Sequence, residues 1–137
     1  MALELKSKTK NLSHVEIASL LFHIEVQIHV FHLGAKSNGS FAVHMALNGL
    51  YSGIQDQIDS LVETLQGKTK SLLKGYLNYP YDDYENKEQV IKYITDCLNK
   101  LESYRVSLPS NFANIDNQVQ VIIDSLESTV YKLTFLQ

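Results

Sequence analysis

Apolar residues recur at three- and four-residue spacing through four stretches of this chain, a rhythm that points to packed helices. The first stretch runs from about Ser13 to Leu33. Ser13 and Glu16 form a capping box, each satisfying a backbone donor of the first turn. Gly34 follows, where a left-handed cap needs no Cβ. The second runs from about Gly39 to Gln66 through Phe41, Leu47, Leu50, Ile54, Ile58, Leu61 and Leu65, and Gly67 is expected to end it. Gly49 and Gly53 lower its helix propensity, and their spacing would admit a second helix at close range. Residues 67–85 read as a loop, with room for a short helix. Asn86 and Gln89 offer a cap for a third helix through Val90, Ile91, Ile94, Leu98 and Leu101, ending near Tyr104 ahead of Pro109. The fourth begins around Asn111 and carries Val119, Ile122, Ile123, Leu126, Val130, Leu133 and Leu136. Four helices that each bury one stripe suggest an all-α, up-and-down bundle with one longer connection.

Composition narrows the setting. With 137 residues, 45% of them hydrophobic and 20% charged, the chain suits a single domain that needs no covalent staples. The expected division is an N-terminal arm over residues 1–12 and the bundle over 13–137. Cys97 is the only cysteine, which excludes an intrachain disulfide framework and suits a reducing, cytoplasmic compartment. A net charge of -3 argues against a surface built throughout to hold nucleic acid. Met1 to Lys10 has no apolar targeting core. The most apolar stretch, Ile17 to Leu33, is interrupted by His23, Glu25, His29 and His32, so no membrane span is expected.

The chemistry-bearing residues are concentrated. All five histidines, His14, His23, His29, His32 and His44, fall in the first third of the chain. At about 100° per residue, Glu25, His29 and His32 project within roughly 60° of one another. On the second helix, His44, Asn48, Ser52, Asp56, Asp59, Glu63 and Gln66 form a polar stripe. Asp59 and Glu63, one turn apart, hold their carboxylates within about 6 Å, where like charges repel unless a cation sits between them. Iron or manganese suits such mixed carboxylate and imidazole donors. The same pair also fits the solvated face of an amphipathic helix. For His23, between Phe22 and Ile24, a satisfied, partly buried imidazole is the expectation. His14, in the first turn, is expected to be exposed.

His32, His44, Asp59 and Glu63 follow one another at intervals of 12, 15 and 4 residues. This spacing resembles the ferroxidase signature of the Dps family, ferritin-like proteins named for DNA binding in starved cells. The Phe41-Ala42-Val43-His44 lead into the second helix and Asp56-Gln57-Ile58-Asp59 ahead of Glu63 look similar too. The resemblance implies a ferritin-like four-helix bundle with a short helix or loop between the second and third helices. It also implies a homo-oligomer in which iron, as Fe(II) and Fe(III), binds across a two-fold dimer interface. His32 and His44 would come from one subunit and Asp59 and Glu63 from the other, with Glu63 the bridging or switching carboxylate. The implied chemistry is oxidation of Fe(II) by peroxide and mineral storage within a shell of twelve chains. Two positions depart from the pattern. Asn48 stands where an acidic residue is usual and Leu33 where a tryptophan is. His29 and Glu25 are placed to support the site.

DNA needs separate evidence. Lys6, Lys8 and Lys10 form the only basic cluster, sufficient for about three phosphates per chain and a salt-sensitive, weak contact. Arg105 is the only arginine, so bidentate recognition has little material. Tyr76, Tyr79, Tyr81 and Tyr84 lie among Asp82, Asp83 and Glu85, which repel phosphate, so this loop reads as packing or interface. The alternatives are a non-catalytic bundle of the same kind with a structural, DNA-coating or partner-binding role, and a monomeric helical binding module whose histidines cluster by coincidence.

Overall fold

The structure is a computed structural model that describes residues 12–35 and 41–136. Among these it contains four α-helices: α1 (His14–Ala35), α2 (Phe41–Thr69), α3 (Lys87–Val106) and α4 (Ala113–Phe135). A single 3-10 turn, Ser110–Phe112, precedes α4. Both expected caps form. The Ser13 amide donates to Glu16 Oε1 at 2.8 Å, and the Glu16 amide donates to Ser13 Oγ at 3.2 Å. At α3 the Gln89 amide donates to Asn86 Oδ1 at 2.8 Å. The return bond starts one residue earlier than in a capping box, from the Glu85 amide to Gln89 Oε1 at 2.7 Å.

The glycines behave differently from expectation. Gly34 lies inside α1 and needs no left-handed backbone. A Cβ there would stand 2.6 Å from that of Tyr84, so close approach is what selects glycine. Gly67 does not end α2, which continues to Thr69 and stops where Lys70 takes φ 55°. Gly53 has nothing within 4 Å of its would-be Cβ, and Gly49 meets only the far end of Lys132, so these two do not admit a close helix. The expected start at Gly39 lies outside the described residues.

Residues 72–86 form neither helix nor strand but are held tightly. The Leu77 amide donates to Ser19 Oγ, His23 Nε2 donates to the Pro80 carbonyl, and Gln27 grips Asp82 through both its backbone N–H and C=O, each at 2.8 to 2.9 Å. Tyr84 then meets Phe31 edge-on, with ring centroids 6.4 Å apart. The strap therefore runs along α1 in the same direction as α1. It delivers α3 to the end of α1 from which α2 departs, so α2 and α3 are parallel, and the bundle runs up-down-down-up. The simple alternation expected from the periodicity is corrected on this point: a connection long enough to traverse the bundle reverses nothing. α4 runs back beside α2 and α3, with Gln118 against Ser60 and Thr64 and Ser125 against Gln57.

Around the ring, α1 packs on α2 and α3, while α4 packs on α2 and α3. Ile17, Leu21, Ile24, Ile28 and Phe31 of α1 are fully buried against Leu47, Ile58, Leu61 and Leu65 of α2, Ile94 and Leu101 of α3, and Val119, Ile122 and Leu126 of α4. Truncating one such side chain to alanine typically costs about 2–5 kcal/mol. Gln27 is fully buried among them, and its two bonds to Asp82 satisfy the amide. α1 is apolar on nearly every side. Its outward stripe of Phe22, Val26 and Leu33 is 36%, 40% and 57% exposed. By length and composition alone α1 would cross a membrane, but half of its most apolar window packs inside the bundle, as in a core helix.

Candidate functional site

α1 turns its histidines to two different neighbours. His14 and His23 face α3. His14 Nδ1 lies 2.8 Å from the Tyr104 hydroxyl, and its ring stacks on Phe112 at 5.8 Å. It is half-buried, which corrects the expectation of an exposed first-turn side chain. The Pro80 carbonyl can only accept, so His23 donates from Nε2; in the neutral ring Nδ1 must then accept, and Tyr93 donates its hydroxyl there at 2.7 Å. Tyr81 stacks on the same ring, centroids 4.7 Å apart. Both nitrogens of His23 are thus committed to the fold, as its apolar neighbours suggested.

His29, His32 and His44 lie toward α2. The rings of His32 and His44 stack with centroids 4.0 Å apart. His32 Nδ1 donates to the His44 carbonyl at 3.0 Å, and His44 Nδ1 donates to the His32 carbonyl at 3.1 Å. The second bond has a local cause: the His32 carbonyl belongs to the last turn of α1, where carbonyls lack an intrahelical partner. A carbonyl acceptor holds the proton on Nδ1 and leaves the lone pair of each neutral ring on Nε2. That tautomer and orientation are those of an imidazole metal ligand backed by a carbonyl. His29 stacks on Tyr51 at 4.1 Å, with its centroid 6.3 Å from that of His32.

Asp59 and Glu63 are exposed on α2, about 22 Å and about 28 Å along the helix axis from His44 at about 1.5 Å per residue. The four expected ligands therefore do not meet within one chain. Among the described residues, no group of three or more His, Cys, Asp or Glu side chains is arranged to hold a metal. They do share a side of α2. On a regular helix Asp59 lies about 60° and Glu63 about 100° around from His44. Gln57, Ser60 and Thr64, which contact α4, lie about 160° to 220° around from His44, with Ser60 about 60° from Glu63. Glu25 reaches toward Asp59 from α1. Burial first, and the Asp59 charge second, hold its carboxyl above the usual carboxylate range. Asn48 is exposed one turn beyond His44.

The remaining expectations divide. Lys6, Lys8 and Lys10 lie outside the described residues. Arg105 is paired with Glu102 at 2.7 Å and Asp116 at 2.8 Å, so the one guanidinium is committed within the chain. The tyrosine loop packs as expected: Tyr76 tilts on Phe22, Tyr79 and Tyr81 surround His23, and Tyr84 meets Phe31. Tyr93, Tyr104 and Gln27 escaped the sequence reading. A glutamine inside the apolar run of α1 was the available signal for the last.

Fold and side chains together define a small four-helix bundle with imidazoles at one end of its α1–α2 side and carboxylates at the other. The chain belongs to a family of unknown function, DUF5856, whose model matches residues 32–133, from the first of the stacked histidines almost to the end of α4. No curated protein and no solved structure matches it.

Proposed function

We propose that the chain is a ferritin-like, Dps-like protein that binds Fe(II), oxidises it to Fe(III) with peroxide and retains the product. The observation that carries this reading is the split face. His32 and His44 stack near one end, each held through Nδ1 by the other's carbonyl, and Asp59 and Glu63 expose carboxylates further along α2. A second copy running antiparallel about a two-fold axis between them brings each histidine pair to the other chain's carboxylates. The outward stripe of Phe22, Val26 and Leu33 supplies apolar surface for that contact. The single long crossover between parallel second and third helices is the connectivity of ferritin-like bundles, which adds support.

Fe(II) is the substrate. Two ferrous ions each give one electron, and one hydrogen peroxide takes both as its O–O bond breaks to give two hydroxides. Asp59 and Glu63 offer hard, anionic oxygens that favour the ferric state, while His32 and His44 hold the ion without adding charge. Glu25, whose carboxyl is raised first by burial and second by the Asp59 charge, adds a further carboxyl on the α1 side of Asp59. Asn48 contributes no charge, so one iron position is better provided than a second. The wider assembly into a shell and weak DNA binding through Lys6, Lys8 and Lys10 remain parts of this same proposal.

The test adds Fe(II) anaerobically to metal-free protein and then peroxide, with and without Asp59→Ala and Glu63→Ala together. Fast oxidation that the double substitution abolishes is expected. Slow oxidation, equal in both proteins, would favour the second reading, a non-catalytic bundle with a structural, DNA-coating or partner-binding role, for which Asn48 and Leu33 are the supporting residues.

A further inference from the structure

The seam between α1 and α3 links an imidazole to a phenol by a hydrogen bond and places a thiol beside them. His23 Nε2 donates to the Pro80 carbonyl, so Nδ1 of the neutral ring accepts from Tyr93 at 2.7 Å. Cys97 stands one turn further along α3 and lines the same cavity as Tyr93. A cavity of about 290 Å³ opens beside them between α1, α3 and the strap; His23, Tyr79, Tyr93, Cys97, Glu16 and Lys100 are among its lining residues.

Burial pushes the Tyr93 phenol far above the usual range, so it is protonated at neutral pH and can lose an electron readily only if its proton leaves too. A base in hydrogen-bond contact makes that possible. Burial also pushes the Cys97 thiol up to about 11, which keeps its hydrogen on sulfur. Tyr104 is paired with His14 in the same seam but is only 1% exposed, and serves as an internal comparison.

We propose that Tyr93 is a one-electron oxidation site within this cavity. A small oxidant takes an electron from the phenol, and the phenolic proton crosses to Nδ1 of His23. Cys97 then returns a hydrogen atom to the phenoxyl oxygen, its S–H bond breaking as the O–H bond re-forms, and a thiyl radical remains. The oxidant class is a small one-electron oxidant, for example the hydroxyl radical released when peroxide meets a single Fe(II). The inference goes beyond the iron reading and does not depend on it, because its test supplies an oxidant without iron.

The experiment uses the full chain, free of iron, with tris(bipyridyl)ruthenium(III) generated by a laser flash and trapped radicals read by electron paramagnetic resonance. A tyrosyl signal is expected in the parent protein and in Tyr104→Phe, and most of it should vanish in Tyr93→Phe. His23→Gln keeps an amide donor for the Pro80 carbonyl but offers no base, and should reduce the early yield about fivefold, equivalent to roughly 1 kcal/mol in the barrier. Cys97→Ala should prolong the signal by a similar factor. Circular dichroism and urea unfolding establish that each variant is folded. Equal yield in Tyr93→Phe and the parent, or in His23→Gln and the parent, would overturn the site. An unchanged lifetime in Cys97→Ala would overturn the thiol step.

Discussion

The two sides of α1 use the same residue type for opposite ends. Toward α3, His23 gives one nitrogen to Pro80 and the other to Tyr93, and so ties the strap and two helices together. Toward α2, His32 and His44 give one nitrogen each to a backbone carbonyl and are thereby held in a ligand's tautomer. An imidazole with both nitrogens bonded inside the chain is a structural bracket. One anchored through Nδ1 to a carbonyl of the neighbouring helix fixes the ring's tautomer and its orientation. The difference lies in the neighbours, because the side chains are identical.

The largest expected effect separates these roles by complementation. A chain carrying His32→Ala and His44→Ala should lose peroxide-driven iron oxidation by more than tenfold, and so should one carrying Asp59→Ala and Glu63→Ala. Mixed and reassembled, the two should recover roughly a quarter of the parent's sites, since about half the dimers are mixed and each of those has one complete site. No recovery would break the two-fold arrangement.

Stability should respond on the other side of the helix. Gln27→Ala removes both bonds to Asp82 from a fully buried position and should cost about 2–4 kcal/mol. His23→Ala loses two hydrogen bonds and the stack on Tyr81, for about 1–3 kcal/mol, against under about 0.5 kcal/mol for the half-exposed His29→Ala. Urea denaturation measures all three, and equal losses at His23 and His29 would erase the contrast.

The glycines sharpen it further. Gly34→Ala drives a methyl into Tyr84 at the strap and should destabilise by about 1–3 kcal/mol. Gly53→Ala meets open space and should stabilise by up to about 1 kcal/mol. Thermal unfolding of the pair checks both signs.

The smallest effect is electrostatic. A carboxyl whose pKa is raised on folding binds its proton more tightly in the native state, so its contribution to stability falls as pH rises through the window from its ordinary value to the raised one. Glu25→Gln should therefore stabilise the chain slightly at pH 7 and change little near pH 4. Equal gains at both values would show that Glu25 carries no charge cost on the α1–α2 side.

Much of the fold is legible in the sequence because its determinants act over a few residues. The Ser13–Glu16 box spans three positions, Asn86 caps Gln89 at the same range, and the apolar spacing of Val119, Ile122, Ile123 and Leu126 needs only helical pitch. That His44 and Asp59 stand far apart was also legible, because 15 residues of one helix span about 22 Å. Gly34 and Gly67 misled, because a glycine after an apolar run is compatible with a left-handed cap, with a close contact as at Gly34, or with an ordinary helical position facing open space as at Gly67. The sequence does not say which until Tyr84 arrives from the strap.

Approximate helix positions, the N-terminal caps of α1 and α3, most of the core and the presence of one long connection were thus determined by the sequence alone, through periodicity and local hydrogen bonding, although Phe41 and Leu136 kept the apolar spacing and are exposed. Only the tertiary structure decided the direction of the strap, the parallel course of α2 and α3, and the division of the histidines. Those depend on partners such as Tyr104 for His14, 90 residues away, and Asp82 for Gln27, 55 residues away. No local rule specifies such a pair, because each forms only when the burial of the whole core brings its elements together.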